Sequence, residues 1–295
     1  MTRRGFTGLF AGASTLFVGG CSPLTLFNAF GPRDPASHPG RDVAYGEDPR
    51  QKLDVYVPEN TQNGGGGTGL PVIVFFYGGG WNSGSRKDYA WVGHSLAAQG
   101  YVVVLPDYRL APTHPYPDFV KDGADAVRWT HDHILAFGGD PDRLVLAGHS
   151  AGAYIAMQLA MDLSFLRTAG VDPQLVKATV GLSGPYDFYP FVSPLAVEAF
   201  ATWPQPKDTQ PINHVGPGRA PVFLAHGDKD ELVELSNTYN LAKALKAAGD
   251  EVEVKIYPGL DHAGMVLSLS RAFRGKAPAP ADLTAFLSGV LARRS

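Results

Sequence analysis

A serine flanked by two glycines lies near the middle of the chain, in the segment GHSAG at residues 148–152. The apolar run RLVLAG leads into it and the helical pattern AGAYIAMQLA follows, so Ser150 is predicted to occupy a tight turn between a strand and a helix. Glycines remove the side-chain clashes of such a turn, and the first N–H groups of the helix stabilise negative charge. The segment predicts a nucleophilic serine; a glycine-rich turn without chemistry is the alternative.

A serine nucleophile requires a general base, and the base requires a carboxylate that orients it. When the serine lies on such a strand-to-helix turn, both are expected to follow it, on loops after later strands, in the order Ser, Asp, His. The segment HGDKDELV follows one apolar strand and offers Asp228 and Asp230. The segment YPGLDHAG ends the last strand and offers His262. We predict His262 as the base, and at this point both aspartates remain candidates for the acid.

The rest of the chain supplies the elements that must position these residues. Continuous apolar runs alternate with helical segments, which predicts an α/β fold with a mostly parallel central sheet and helices on both faces. The strand-like runs are LPVIVFF, YVVVLPDY, RLVLAG, KATVGLSGPY, APVFLAHGD and EVEVKIYPG, and KLDVYV before them is predicted to be an amphipathic edge strand. Catalytic groups of such sheets lie beyond the carboxyl ends of the strands, where Ser150 is expected.

Three parts are predicted along the chain. Residues 1–21 resemble an export signal, because Arg3 and Arg4 precede an uncharged, largely apolar run. TRRGF resembles the twin-arginine signal and VGGC resembles a lipobox, so we expect export to the periplasm or cell envelope and membrane anchoring through a lipidated Cys21. Residues 22–45 are predicted to be a tether. Residues 46–295 are predicted to form the catalytic domain, with a short aromatic cap inserted at about residues 186–218.

The composition of the chain argues against several classes of function. The chain has 295 residues, of which 44% are apolar and 18% charged, with a formal net charge of −3. It carries no basic stripe, which argues against nucleic-acid binding. Its single cysteine excludes an internal disulfide and a cysteine-based metal cluster. We expect no metal and no organic cofactor, and a small-molecule ester as the partner; the sequence makes no prediction of the oligomeric state.

Five segments together resemble the α/β-hydrolases of the esterase and lipase kind, close to the hormone-sensitive-lipase-like and small carboxylesterase branch. They are YGGGW, DYRLAP, GGDPDRLVLAGHSAGA, HGDKDELV and YPGLDHAG, in family order. The resemblance implies the α/β-hydrolase fold and a carboxylesterase-type serine hydrolase that cleaves esters of short-to-medium acyl chains through an acyl-enzyme. It also implies Asp230 as the acid. The oxyanion hole is expected at the backbone N–H of Ala151, with those of Gly79 and Gly80 added by the resemblance.

The glycine loop departs from the family in one position, because Tyr77 stands where a histidine usually precedes the glycines. How Tyr77 braces the loop is left open. Trp81, His149 and Tyr186 are predicted to line the substrate pocket, with core packing as the alternative for Trp81.

Three other functions remain open. The first is an arylformamidase-type amide hydrolase, whose glycine loop before a tryptophan looks similar. The second is a non-catalytic hydrolase-fold binding module, a class that typically loses the serine or the histidine. The third is an acyltransferase that uses the same acyl-enzyme.

Overall fold

A computed structural model describes residues 27–28, 30–59 and 69–293. The predicted export signal, with Arg3, Arg4 and Cys21, lies outside the described residues. Within the part that is described, no helix is both long enough and apolar enough to cross a membrane.

Eight strands form one sheet, and their bounds are β1 Ala36–Ala44, β2 Lys52–Pro58, β3 Leu70–Phe76, β4 Val102–Pro106, β5 Gly139–His149, β6 Val176–Leu182, β7 Val222–Gly227 and β8 Val252–Tyr257. Their order across the sheet is β1-β2-β4-β3-β5-β6-β7-β8. Strand β2 is antiparallel to β1 and β4, and every later pair is parallel. The predicted α/β fold with a mostly parallel sheet is confirmed.

The helices of the described residues are α1 Ala90–Ala97, α2 Asp118–His133, α3 Ala151–Met161, α4 Ser164–Thr168, α5 Pro194–Phe200, α6 Ser236–Ala247, α7 His262–Leu267 and α8 Ala279–Arg293. The first six connect the parallel strands, and α7 and α8 follow β8. They cover both faces of the sheet, as two neighbours on β3 illustrate. Phe76 points towards Gly123 of α2, whereas Phe75 packs near Tyr89 beside α1. Successive side chains of a strand point to opposite faces, so the central strands are apolar throughout because both faces are buried.

The prediction of a tether over residues 22–45 is wrong in its second half. Residues 36–44 form β1 and pair with β2, for example Val43 with Leu53. Strand β2 is therefore interior rather than an edge strand. Its polar residue Asp54 is only 4% exposed and lies 3.1 Å from Nε of Arg86. A buried carboxylate is tolerated when it is paired in this way. The alternation of apolar and polar residues in β2 therefore reflects a buried ion pair and not a face exposed to solvent.

The segment between β6 and β7 contains α5 and two 3₁₀ turns, Pro206–Thr209 and Pro211–His214. It contains the whole stretch, residues 186–218, that is predicted as a cap. Its aromatic rings pack towards the loop that follows β3: Phe188 stacks on Trp81 and Phe200 meets Trp81 edge to face. The cap segment is thus anchored to the glycine loop through Trp81.

Candidate active site

Ser150 occupies the turn between β5 and α3. Its backbone has a φ of 55° and a ψ of −124°, a conformation that costs an L-residue about 1–3 kcal/mol. The Ser150 N–H donates to the carbonyl of Leu182 at the end of β6 (2.9 Å), which ties the turn to the sheet. Ser150 is partly exposed, which the predicted role of nucleophile requires.

The glycines around Ser150 allow α3 to lie directly against β3. A Cβ atom added to Gly152 would stand 2.1 Å from the carbonyl oxygen of Phe76 and 2.4 Å from that of Tyr77. A Cβ on Gly148 would collide with the backbone of Gly152. Only glycine fits at these two positions, so the GxSxG spacing follows from helix-to-strand packing as well as from the turn.

His262 and Asp230 are hydrogen-bonded to each other. Nδ1 of His262 lies 2.8 Å from Oδ2 of Asp230, and the Asp230 side chain is fully buried while that of His262 is 13% exposed. A carboxylate only accepts, so Nδ1 donates and Nε2 is left free to take a proton. His262 is the first residue of α7, after β8, and Asp230 follows β7, so both come from the carboxyl edge of the sheet that carries Ser150.

His226 is a second donor to Asp230 that the sequence analysis did not predict. Its fully buried ring places Nε2 between Oδ2 of Asp230 (3.1 Å) and the carbonyl of Val233 (3.0 Å), and its Nδ1 lies 2.8 Å from the hydroxyl of Thr238. Burial alone would raise the pKa of Asp230, but the hydrogen bonds from His226 and His262 outweigh it and hold that pKa well below its usual range. The signal in the sequence for this contact was the spacing, since His226 lies four residues before Asp230.

Asp228, the other candidate acid, has a different role. It is exposed, and its Oδ1 accepts from the N–H of Gly259 (2.7 Å). The Lys229 N–H donates to the carbonyl of Leu260 (3.0 Å). These bonds join the loop that carries Asp230 to the loop that carries His262, so Asp228 holds two loops together.

His149 does not line a pocket, contrary to the prediction. It is 2% exposed, with Nε2 3.0 Å from the backbone carbonyl of His262 and Nδ1 2.9 Å from the hydroxyl of Tyr89. Burial, together with the nearby His262, lowers the pKa of His149 to about 3, so the ring is neutral. The carbonyl can only accept, hence Nε2 donates to it and Tyr89 donates to Nδ1. His149 therefore holds the main chain of His262 beside the serine turn.

The glycine loop after β3 has the backbone that an oxyanion hole needs. Gly79 and Gly80 have φ values of 145° and 59°, which glycine adopts without strain. Among the described residues, no acceptor is bonded to the N–H of Gly79 or Gly80. The N–H of Ala151, at the first position of α3, has no intrahelical partner. All three groups are thus able to donate to a ligand.

Tyr77 is fully buried at the start of this loop. Its hydroxyl lies 2.7 Å from Nη2 of Arg50, and its ring stacks on that of Tyr108 with centroids 4.6 Å apart. Tyr77 therefore braces the loop, in place of a histidine, through its buried hydroxyl, which is hydrogen-bonded to the guanidinium of Arg50.

Two further predicted pocket residues belong to the core. Tyr186 is fully buried, in a cluster with Met157 and Leu224, and its hydroxyl occupies the space that a side chain on Gly181 would take. Trp81 is 5% exposed and packs among the aromatic rings described above, so core packing accounts for it. The prediction failed for Tyr186 because proximity to the strand end does not reveal which way a side chain points.

A cavity of about 640 Å³ lies elsewhere on the molecule. It is lined by Val176, the first residue of β6, and by Ala220, just before β7. These are the amino ends of the strands, opposite to the edge that carries Ser150, so this cavity is separate from the candidate active site. Within the described residues, no three His, Cys, Asp or Glu side chains are arranged to hold a metal ion.

Comparisons with known proteins agree with this architecture. The BD-FAE family model matches residues 53–245. The chain is 31% identical over 251 residues to isoprenylcysteine alpha-carbonyl methylesterase ICME of Arabidopsis thaliana, a match that covers 77% of this chain and 57% of that protein. It is 30% identical over 242 residues to esterase LipC of Mycobacterium tuberculosis, covering 75% of this chain and 59% of that protein. The chain thus spans little more than half the length of these curated relatives.

A solved structure, esterase B from Lactobacillus rhamnosis, superimposes with a TM-score of 0.77 over 92% of this chain and 91% of its own, at 19% identity. At that identity the likeness shows the fold, which is that of an α/β-hydrolase. The BD-FAE match covers more than half of the chain, from β2 into α6. The chain therefore belongs to the BD-FAE family and has the α/β-hydrolase fold.

Proposed function

We propose that the protein hydrolyses carboxylic esters of short-to-medium acyl chains through an acyl-enzyme on Ser150. The observation that carries the proposal is the hydrogen bond between His262 and Asp230, on the same sheet edge as the serine turn. Serine, a buried carboxylate and histidine, in this chain order, are the machinery of acyl transfer in α/β-hydrolases.

In the first half-reaction, Oγ of Ser150 attacks the ester carbonyl carbon while Nε2 of His262 takes the hydroxyl proton. Asp230 stabilises the imidazolium that forms. The carbonyl oxygen becomes an oxyanion and accepts from the backbone N–H groups of Gly79, Gly80 and Ala151. Collapse of this intermediate breaks the ester C–O bond, and His262 returns its proton to the departing alcohol.

The second half-reaction repeats these steps with water. His262 removes a proton from water, the hydroxide oxygen bonds to the acyl carbon, and Ser150 leaves with the proton from His262. The products are a carboxylic acid and an alcohol, and no redox partner is involved.

The relatives support an ester rather than an amide substrate, because those named above are a methylesterase and an esterase. The acyl-chain length rests on the cap, whose one helix between β6 and β7, α5, has seven residues. Such a short cover suits small esters better than long insoluble lipids.

The test is turnover of p-nitrophenyl acetate, butyrate and decanoate by the wild type, by Ser150→Ala and by the control Ser236→Ala, an exposed serine on α6. We expect a burst of p-nitrophenol and turnover in the wild type and the control, with acetate and butyrate preferred, and loss of both signals in Ser150→Ala. Turnover that survives in Ser150→Ala would overturn the mechanism. Turnover of a formamide but of no ester would overturn the substrate class.

We further propose that the protein is exported and anchored through Cys21, which rests on the N-terminal sequence alone. The measurement is the distribution of the full-length protein and of Cys21→Ala between membrane and soluble fractions of a bacterial host. Membrane association that Cys21→Ala abolishes supports the anchor; equal distribution of the two proteins contradicts it.

A further inference from the structure

The loop that carries Gly79 and Gly80 closes on itself at its two ends. It starts at Tyr77 and returns at Gly84, whose Cα is so close to the Tyr77 ring that an added Cβ would stand 3.0 Å from a ring carbon. Within the loop, the N–H of Ser83 donates to the carbonyl of Gly79 (3.0 Å). The positions of the two donor glycines therefore depend on how firmly the ends are joined.

One guanidinium joins the two ends. Nη2 of Arg50 donates to the hydroxyl of Tyr77 (2.7 Å) and to the carbonyl of Gly84 (3.0 Å). Nε of Arg50 donates to the carbonyl of Tyr108, after β4 (2.9 Å). The hydroxyl of Tyr108 in turn donates to the carbonyl of Tyr77 (3.0 Å). Arg50 thus bonds to both ends of the loop and to the neighbouring strand end.

The residue type suits this task. A guanidinium is planar, always charged and directs its N–H groups along fixed lines, so it can serve several acceptors without rearranging. Lysine offers one flexible ammonium. The backbone of Arg50 is itself held, because its N–H donates to Oδ1 of Asp48 (2.8 Å) in the turn before β2.

From this geometry we propose that Arg50 is a positioning residue for the oxyanion hole, which holds the N–H groups of Gly79 and Gly80 aimed at the same point as that of Ala151. The inference rests on the proposed function. Arg50 does not touch the substrate; it acts through Tyr77 and Gly84. Misplacing preorganised donors by a fraction of an ångström weakens the transition state more than the bound substrate.

The experiment compares Arg50→Lys and Tyr77→Phe with the wild type on p-nitrophenyl butyrate. A phosphonate ester titrates the reactive serines, so that rates are expressed per active site. We expect Arg50→Lys to lower kcat about 10- to 100-fold with KM changed less than about threefold. Tyr77→Phe keeps the buried ring and the other two bonds of Arg50, and should lower kcat by a smaller factor.

The second readout is the affinity for an alkyl trifluoromethyl ketone, which forms a tetrahedral oxyanion on the serine. The inhibition constant should rise by the same factor as kcat/KM falls. The matched control is Arg143→Lys, since Arg143 also donates to a glycine carbonyl, that of Gly69, but at the amino end of the parallel strands. It should leave both quantities unchanged.

The outcomes separate the two hypotheses. A merely structural Arg50 would lower the melting temperature and the number of titrated sites, but leave kcat/KM per site and ketone affinity at wild-type values in both variants; that result overturns the inference alone. A wild type that neither turns over esters nor reacts with the phosphonate overturns the proposed function and the inference with it.

Discussion

The contact between α3 and β3 makes Gly152 a sensitive position in the candidate site. The change Gly152→Ala adds a Cβ that would stand 2.1 Å from the carbonyl oxygen of Phe76. Ordinary contacts begin at 3.4 Å, and both neighbouring oxygens belong to the backbone of a central strand. The start of α3 must therefore move by about 1 Å, and Ser150 and the N–H of Ala151 move with it.

A displacement of about 1 Å costs roughly 100-fold in rate when it separates groups that must meet in the transition state. Overpacking in a dense core costs about 1–3 kcal/mol of stability. We expect Gly152→Ala to fold with a lowered melting temperature and to lose about two orders of magnitude in kcat/KM.

The assay is kcat/KM on p-nitrophenyl butyrate per phosphonate-titrated site, together with thermal melting. The control is Gly289→Ala on α8, where an added Cβ meets nothing within 4 Å; it should keep wild-type activity and gain roughly 0.5–1 kcal/mol of stability. A Gly152→Ala protein with wild-type kcat/KM would show that the helix-to-strand contact does not position the nucleophile.

Three further predictions follow from the same site. Asp230→Asn should lower kcat on the order of 10⁴-fold while Asp228→Asn changes it only a few-fold; equal losses in steady-state kinetics would refute the assignment of the acid. Leu195 of α5 stands so close to Gly80 that an added Cβ would be 2.7 Å from its Cδ1, so Leu195→Ala should shift the p-nitrophenyl ester preference to longer chains and Leu195→Trp to shorter ones; a preference that stays the same in both contradicts this role. The pKa of His149 is about 3 in the folded protein and about 6.5 when unfolded, so below pH 6.5 the unfolded chain binds a proton that the native chain does not. As the pH falls below 6.5, this group should lower the free energy of unfolding by up to about 1.4 kcal/mol per pH unit. In His149→Gln the free energy of unfolding, measured with urea, should therefore depend less on pH between 6.5 and 4. The same pH dependence in the variant and the wild type would argue that His149 is protonated in the folded protein.

The sequence predicted the parallel strands well, because strands buried on both faces are continuous apolar runs that end at turn residues. It missed β1, whose segment ASHPGRDVA contains a proline, a glycine and charges and pairs with β2 through register shifts. Such a strand is extended because it pairs with its neighbour, and its own residues show no alternation of apolar and polar side chains. The sequence of β1 alone therefore does not predict a strand.

The serine turn was predictable because its requirements are local: a strand, two glycines and a helix. The role of His149 was not, since it depends on the carbonyl of His262, 113 residues further along the chain. His226 lies only four residues before Asp230, but that spacing alone does not show that its ring turns back onto the carboxylate. The order of the residues along the chain predicted that Asp230 and His262 meet. It could not show that the ring of His149 holds the main chain of His262 or that the ring of His226 holds the side chain of Asp230.

The hydrogen bond from Gly259 to Asp228 bears on how these proteins can be recombined. The two loops after β7 and β8 are hydrogen-bonded to each other. If one of them is exchanged between two members of the family, we expect Asp230 to keep its position only when the other loop is exchanged as well. The stretch from residue 226 to residue 264 is therefore the natural unit for grafting, and a crossover placed between the two loops should break the Asp228–Gly259 bond and disturb the pairing of Asp230 with His262.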